Sequence, residues 1–325
     1  MATVFLLARR LLAARGVSLP DLRRRAGVPD RCFPTGVRLN RLCGPDAWFD
    51  EEWMQDLRDL AIPTHLIHRK AFEWTHCVYG LRRLGALRPS SVVLDVAAGH
   101  ERLVFYLANR VRRIVAVDLY SGHFLDTEES EADPDFLTDP DKYAPFPYRR
   151  DALVAFPASG LALPFRSERF DAVISLGSIE HFGGHDAAAA AMREIARVLR
   201  PGGIACIATE IVLRGPSMEE MFAPDVFEEK IVDDSGLIPV ERMDYTEPPE
   251  ELFADPVVIG ANIDRNPHIV MGFRETTWTS GVVFLRKPRD VEYLRLWLAG
   301  GTVRRLSELS RARRGTSAAR PSDAV

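Results

Sequence analysis

The 325-residue chain has few cysteines and little excess of either charge. Its four cysteines, Cys32, Cys43, Cys77 and Cys206, lie far apart without a CxxC pair. This spacing argues against a zinc site and against a disulfide framework, and it favours a reducing, cytoplasmic location. The net charge of -4 gives no general attraction to nucleic acid or to a membrane surface.

The chain also lacks a long uninterrupted hydrophobic run near its start. The first residues, MATVFLLARRLLAARG, have no basic segment before the apolar ones, and Arg9 and Arg10 interrupt the apolar stretch. We therefore predict an amphipathic helix there, rather than a signal peptide or a membrane span. An Arg-rich, acid-poor start is also typical of transit peptides, and that alternative stays open.

Charge is distributed unevenly along the chain. Residues 1–41 carry nine Arg and two Asp, whereas residues 126–141 carry eight acids and no Lys or Arg. Runs of this kind usually form solvated faces and mobile loops. The alternative is a docking surface for a charged partner.

From residue 91 onward, short apolar runs alternate with amphipathic helical segments, which is the pattern of a parallel sheet with crossover helices. Two helical faces are clear, one at Leu103, Val104, Leu107 and Ala108, and one ending before Pro201-Gly202-Gly203. A further helix is predicted over 225–235. The predicted strands are 91–96, 114–118, 152–156, 170–175, 204–209, 237–244 and 281–285.

These patterns divide the chain into three predicted parts. Residues 1–75 show short helical patterns without strand alternation and predict an N-terminal helical cap. Residues 76–290 predict an α/β domain, and residues 291–325 a C-terminal helix with a disordered tail. Inside the domain, residues 119–150 are too long and too polar for a simple crossover. They predict an inserted loop over the ligand edge of the sheet.

Four polar segments follow predicted strands: Asp95 with its loop, Asp118, Ser159-Gly160, and Ser178-Ile179-Glu180-His181. In an open parallel sheet, ligands bind at the carboxyl ends of the strands, so these segments are expected to converge. Asp118 stands where a carboxylate can accept both ribose hydroxyls of an adenosine, a device that NAD enzymes share. The loop after Asp95 lacks GxGxxG, so no pyrophosphate cradle is predicted.

The segments VVLDVAAGHERL, IVAVDLY, ASGLALPFRSERFDAVISLGSIEHF and AMREIARVLRPGGIACIATE follow one another in a characteristic order. In order and spacing, residues 75–245 resemble the class I S-adenosylmethionine-dependent methyltransferase family. The resemblance implies S-adenosylmethionine as the cofactor. It also implies a doubly wound, Rossmann-like sheet of seven mostly parallel strands, the last of them antiparallel.

The resemblance assigns roles by position along the chain. Asp95 would hold the methionyl ammonium directly or through water, and Asp118 the ribose. Other positions implied to contact the cofactor are Ala97, Ala98 and Gly99 beneath it, Ser159 and Gly160 at the adenine, and also Leu119, Leu161 and Ser178. Leu163 and Phe165 either line the adenine slot or belong to the core.

Three positions depart from the family pattern. Ala97 and Glu101 replace glycines of the first loop, and Ser159 replaces an acid near the adenine amine. Ala97 costs little if its φ stays negative, and Ser159 can still accept one hydrogen bond. At the first turn of a helix the dipole favours Glu101 by about 0.3 to 1 kcal/mol. Alternatively, Glu101 faces the cationic sulfonium or ammonium of the cofactor.

His181 and Glu180 are the candidate catalytic residues, because a base near the acceptor would take up its proton. The alternative is that this pair shapes the turn and contacts only the cofactor. His181 and His185 are four residues apart, but Gly183 and Gly184 between them argue against a metal site, and none is predicted. His65 and His68 either line an acceptor pocket or belong to a packed aromatic cluster with Trp74 and His76.

Missing motifs narrow the predicted acceptor. No Asn-Pro-Pro-Tyr run follows the fourth predicted strand and no Cys follows a Pro, which disfavours amine methylation of bases and cytosine-C5 chemistry. A small-molecule or saccharide acceptor with O-methylation is favoured. The first alternative is a cofactor-binding protein with little catalysis. The second is an RNA-modifying enzyme, disfavoured because the N-terminal Arg residues alternate with Leu and lack interleaved aromatics.

Overall fold

The computed structural model describes residues 28–121, 132–218 and 220–289. The chain divides into two units, Pro29–Lys287 and the terminal segments Met1–Val28 with Pro288–Val325. All elements named here belong to the first unit. The predicted amphipathic helix at the start, the first half of the acidic run and the predicted C-terminal helix and tail lie outside the described residues.

The described residues form one mixed sheet of nine strands. These are β1 (Arg41–Leu42), β2 (Val92–Val96), β3 (Arg113–Asp118), β4 (Leu153–Pro157), β5 (Phe170–Leu176), β6 (Leu199–Arg214), β7 (Ile238–Pro239), β8 (Met271–Phe273) and β9 (Thr276–Arg286). Their order is β1-β9-β6-β5-β2-β3-β4, and β7 and β8 also pair with β9. Strands β2 to β6 run parallel, and β9 runs antiparallel to β6.

This topology confirms the predicted doubly wound, mostly parallel sheet with an antiparallel last strand. Strand β6 begins five residues earlier than predicted, because Leu199 already pairs with Phe170 before the register shifts. The predicted strand 237–244 shrinks to β7. Pro239 has no N–H to donate, and Asp244 pairs instead with Asn40 and Leu42. That pairing stands beside β1, a strand within the cap for which no strand was predicted.

Five α-helices flank the sheet in the described residues. They are α1 (Glu51–Asp59), α2 (Arg69–Arg83), α3 (Arg102–Ala108), α4 (His185–Val198) and α5 (Pro224–Phe227). Side chains cap two of them, since Asp50 accepts from the Trp53 N–H and His68 from the Lys70 N–H. Helix α5 continues as a π-helix over Glu228–Asp233, so the helix predicted at 225–235 exists with a widened second half.

The helices make two layers around the sheet. Helices α1, α2 and α3 share one hydrophobic core with one face of the sheet, and α4 and α5 share a second core with the other face. Helix α2 lies close to β9, because a Cβ on Gly80 would come within 2.1 Å of the Phe284 ring. The described part of the predicted cap therefore packs directly on the sheet. The predicted domain boundaries stay a prediction.

The described part of the predicted insertion, residues 132–150, folds into short 3₁₀ turns that begin at Pro134, Pro140 and Arg150. Phe136 is buried and stacks on Tyr120 at a ring distance of 5.8 Å. The Tyr143 ring lies 4.4 Å from that of His100, in the loop after β2. The described part of this segment thus contacts the loop after β2 and the residues after β3, and its role over the ligand edge stays a prediction. No helix of the described residues has the length and apolar character needed to cross a membrane.

Candidate active site

The loop between β2 and α3 begins at a buried acid. Asp95 is 2% exposed, and its Oδ2 has no hydrogen-bond partner among the described residues. Burial, with a smaller effect of the Asp118 charge, raises the pKa of Asp95 well above its usual value. Two residues further on, Ala97 adopts a φ of +58°. The condition under which Ala97 would cost little, a negative φ, is therefore not met, because the loop keeps the left-handed turn that glycine usually makes.

Asp118, at the end of β3, holds this loop in place. Its carboxylate accepts hydrogen bonds from the N–H groups of Gly99 at 2.9 Å and Leu119 at 2.6 Å. Burial raises the pKa of Asp118, and these amide donors oppose the shift. Each carboxylate oxygen has a second lone pair, so the side chain can still accept a hydroxyl.

The predicted adenine end lies at the carboxyl ends of β3 and β4. Leu119 and Leu161 are 57% and 42% exposed, unusual for leucines beside a buried sheet. The Ser159 hydroxyl accepts from the Leu161 N–H at 3.2 Å, so part of its acceptor capacity is used locally. A Cβ on Gly160 would lie 2.5 Å from the Phe182 ring.

Leu163 and Phe165 belong to the core rather than to an open slot. Leu163 is buried in the core that α4 shares with the sheet. The Phe165 ring lies 5.6 Å from that of Phe156 and 4.9 Å from that of Phe170. Of the two alternatives, the packing role is the one that the structure favours.

Glu101 is the N-cap residue of α3, but its side chain makes no capping hydrogen bond. Its Oε2 instead accepts the indole N–H of Trp74 at 2.8 Å. The helix dipole is therefore not the only interaction of this carboxylate. Trp74 lies on α2, so a residue of the predicted cap reaches the first loop.

The segment after β5 contains both candidate catalytic residues. The Ser178 hydroxyl donates to the Ala97 carbonyl at 3.3 Å, which links this segment to the first loop. Glu180 is 2% exposed and accepts from the Thr209 hydroxyl at 2.9 Å. Burial, reinforced by the charge of Glu210, raises the pKa of Glu180 to about 8. His181 Nδ1 lies 3.5 Å from Glu220 Oε2.

A buried ionic cluster beside these residues was not predicted. Arg69 Nη1 lies 3.0 Å from Glu210 Oε1 and 3.6 Å from Glu73 Oε1, and Lys70 Nζ lies 3.0 Å from Glu73 Oε2. Ser280 also donates to Glu73. The Lys-x-x-Glu spacing over residues 70–73 was the available signal, since residues three apart on a helix are neighbours. Arg69 and Glu210 come together only through the fold.

The histidines of the cap separate into two environments. His76 accepts from the Trp53 indole N–H at 3.3 Å, contacts the Leu39 carbonyl at 2.8 Å and stacks on Phe72 at 4.7 Å, so it belongs to the packed aromatic cluster. His68 stacks at 3.9 Å on His268, and burial lowers the pKa of each to about 4.

His185 begins α4, and its Nε2 contacts the Met221 carbonyl at 2.9 Å. The described residues contain no group of three or more His, Cys, Asp or Glu arranged to hold a metal ion.

Comparison with known proteins agrees with the resemblance. Residues 94–207 match the family model described as a methyltransferase domain. Residues 94–207 thus form a methyltransferase domain, and the matched family is that of the class I S-adenosylmethionine-dependent methyltransferases. The predicted family, fold class and cofactor are thereby confirmed.

Curated relatives of the methyltransferase domain match over short stretches. Probable tRNA methyltransferase 9B of Mus musculus is 54% identical over 43 residues, 13% of this chain and 10% of that protein. The tRNA (carboxymethyluridine(34)-5-O)-methyltransferase ALKBH8 of Macaca fascicularis is 32% identical over 146 residues, 45% of this chain and 18% of that protein. The chain thus spans less than a fifth of the length of these relatives. A geranyl diphosphate methyltransferase solved in complex with SAM is similar with a TM-score of 0.45 and 16% identity, covering 66% of this chain and 85% of that chain.

The residues present at the site suit this cofactor. S-adenosylmethionine carries a cationic sulfonium and ammonium, an adenine and a ribose. The site offers the unpartnered buried oxygen of Asp95, the carboxylate of Asp118 and the exposed side chains of Leu119 and Leu161. Three acids at one edge, Asp95, Glu101 and Asp118, favour a cation over a phosphate group.

Proposed function

We propose that this chain transfers the methyl group of S-adenosylmethionine to a hydroxyl of a small-molecule or saccharide acceptor. The observation that carries the proposal is Asp95, a buried acid at the end of β2 whose Oδ2 has no partner among the described residues. A cationic ammonium satisfies such an oxygen. We place the reaction in the cytoplasm, and the four free cysteines support a reducing setting.

The cofactor-binding roles follow the geometry of the loops. Asp95 would receive the ammonium and Asp118 the ribose hydroxyls, while Leu119 and Leu161 would cover the adenine. The other proposed contacts are the backbone of Ala97, Ala98 and Gly99, the Ser159-Gly160 turn, Ser178 and the carboxylate of Glu101. When bound, the cofactor supplies an electrophilic methyl group on sulfur.

The protein must then align the acceptor and take up its proton. We assign the general base to His181, since imidazole is the side chain that most often takes up protons in catalysis and Glu220 Oε2 lies 3.5 Å from its Nδ1. Glu180, whose pKa burial raises to about 8, is mostly protonated at neutral pH, and we therefore prefer His181 as the base. Its role is to hold the turn before His181 through Thr209.

The decisive experiment follows the label from methyl-tritiated S-adenosylmethionine. Neutral, anionic and cationic fractions of a metabolite extract serve as acceptors, and we expect labelled ethers in the neutral fraction. Thermal shifts with S-adenosylmethionine, S-adenosylhomocysteine and NAD provide the binding control. If neither adenosyl ligand stabilises the protein while NAD does, the proposed function is wrong.

The role of His181 is tested with a matched pair of variants. His181→Asn should lower kcat at least tenfold while S-adenosylhomocysteine affinity stays within about twofold. His185→Asn, in the same segment but bound to the Met221 carbonyl, should change neither. If His181→Asn keeps full turnover, His181 is not the base. The alternative that this residue only shapes the turn and contacts the cofactor would then hold.

A second candidate acceptor is tRNA. It is favoured by one observation, the similarity of residues in this chain to proteins named tRNA methyltransferases. Unmodified tRNA in the same labelling assay tests it. If tRNA becomes labelled, and if its binding weakens steeply as the salt concentration rises, the acceptor is tRNA rather than a small molecule.

A further inference from the structure

Lys70 lies in the first turn of α2 with its side chain directed to the end of β5. Its Nζ is 3.0 Å from Glu73 Oε2 and 3.4 Å from the Leu176 carbonyl oxygen. The side chain is 26% exposed, whereas that of Glu73 is 1% exposed. The ammonium therefore contacts a buried acid, while part of the Lys70 side chain stays exposed.

The chain leaves room for this ammonium at Gly177. This residue has a φ of +61°, and a Cβ added to it would lie 2.3 Å from Lys70 Nζ. The next residue, Ser178, donates to the Ala97 carbonyl of the first loop. Since β5 and β2 are neighbours in the sheet, the Lys70 ammonium lies where the ends of these two strands meet.

Lys70 keeps its positive charge at this position. Although burial alone would lower the pKa of Lys70, the carboxylates of Glu73 and Glu101 raise it above its usual value. An ammonium has three N–H donors, and Glu73 and Leu176 use two of them. One donor remains for a ligand at the strand ends.

The aminoacyl end of the cofactor brings an ammonium and a carboxylate together. Asp95, Glu101 and Asp118 suit the ammonium but repel the carboxylate, which therefore needs a cation. Arg102, whose guanidinium lies 5.3 Å from the Trp74 ring, donates to the carbonyls of Leu60 and Ala61. Lys70 instead approaches the loop through Gly177 and Ser178.

We propose that the Lys70 ammonium binds the carboxylate of the cofactor's aminoacyl group, opposite the ammonium that Asp95 receives. This inference rests on the proposed function, because it assumes the same cofactor at the same loop. It gives α2 a direct part in cofactor binding and explains why glycine stands at position 177.

Two ligands that differ only in the carboxylate test the proposal. These are S-adenosylhomocysteine and S-adenosyl-3-thiopropylamine, its decarboxylated form, both measured by calorimetry on the full chain. Lys70→Met should weaken S-adenosylhomocysteine about 10- to 100-fold, as expected for a hydrogen bond between charged groups, and should leave the amine within about twofold. Lys70→Arg keeps the positive charge and should lose less affinity for S-adenosylhomocysteine than Lys70→Met.

Lys230→Met is the matched control. Lys230 is 24% exposed and also pairs with two carboxylates, Asp186 at 2.9 Å and Glu229 at 3.2 Å, so its loss should not change either affinity. Equal weakening of both ligands by Lys70→Met, or weakening of neither, overturns the proposal. If Lys70→Met does not fold, the ratio of the two affinities in Lys70→Gln, which also removes the charge, decides, and an unchanged ratio overturns the proposal. If the unsubstituted protein binds neither ligand, the proposed function fails instead.

Discussion

The indole nitrogen of Trp74 donates a hydrogen bond to Glu101 Oε2 at 2.8 Å. The bond joins α2 to the N-cap of α3, at the end of the loop that follows β2 and Asp95. Glu101 stands where the family pattern has a glycine, and its carboxylate meets a specific partner rather than only the helix dipole. The substitution therefore places a carboxylate with a specific hydrogen-bond partner at the predicted cofactor loop.

Glu101 has two possible roles, to accept the hydrogen bond from Trp74 and to attract a cationic group of the cofactor. A variant that removes the charge but keeps the shape of the side chain separates them. In Glu101→Gln the amide oxygen still accepts from Trp74, while the charge is lost. We expect S-adenosylmethionine and S-adenosylhomocysteine to bind about 3- to 10-fold more weakly, since charge-assisted hydrogen bonds are roughly twice as strong as neutral ones. Calorimetry with both ligands measures it.

The pattern of losses shows which cation Glu101 faces. A larger loss for S-adenosylmethionine points to the sulfonium, and equal losses point to the ammonium that both ligands share. Unchanged affinities would show that Glu101 only holds Trp74. Trp74→Phe is the control for the hydrogen bond, because it removes the N–H donor to Glu101, keeps the aromatic ring and leaves the Glu101 charge in place.

The sequence predicted the ligand edge because hydrophobic periodicity determines where strands end. Asp95, Asp118 and Glu180 each follow an apolar run. In the structure Asp95 and Asp118 lie at the ends of β2 and β3, and Glu180 lies in the turn after β5. The cluster of Arg69, Lys70 and Glu210 escaped prediction because residues far apart in sequence meet there. No local pattern indicates that α2 folds back over the ends of β5 and β6.

The backbone at Ala97 was also beyond prediction, since an alanine in a family glycine position is compatible with either sign of φ. Its observed φ of +58° is costly for a side chain with a Cβ. Ala97→Gly should therefore raise the free energy of unfolding by about 0.5 to 1 kcal/mol, after allowing for the freedom that glycine gains in the unfolded chain. Urea unfolding without cofactor measures this change.

Ala98→Gly is the matched control for the backbone. Ala98 is adjacent, buried and without a positive φ, so glycine there should lower the free energy of unfolding by a similar amount. Opposite signs at the two positions are the expected result. A loss of stability in Ala97→Gly would show that the left-handed turn carries no strain.

Exposure of Leu119 predicts a contribution to adenine binding. Leu119→Ala removes a side chain that is 57% exposed, so stability should hardly change. Covering that side chain with an adenine buries apolar surface, and its removal should weaken adenosine and S-adenosylhomocysteine equally, by about 3- to 10-fold. Ile259→Ala, at an isoleucine 63% exposed on another loop, should change neither affinity. Retention of full adenosine affinity by Leu119→Ala would remove Leu119 from the site.

Glu180 predicts a pH dependence of stability. The pKa of this carboxyl rises from 4.5 to about 8 on folding, chiefly because burial disfavours the charged form. Between these two values the folded state binds more protons than the unfolded state, so Glu180 stabilises the fold below pH 4.5 and loses that contribution as the pH rises to about 8.

In Glu180→Gln the amide oxygen can still accept the hydrogen bond from Thr209, but the side chain cannot ionise. We expect the stability of the variant relative to the original protein to increase as the pH rises, by up to about 1.4 kcal/mol per pH unit. Urea unfolding at pH 5, 6.5 and 8 follows this difference. The control is Glu51→Gln, because the Glu51 side chain is 84% exposed and pairs with Arg58, so its effect on stability should be small at every pH. A constant difference across the series would mean that Glu180 is ionised in the folded protein, and Glu180 would then return as a candidate base beside His181.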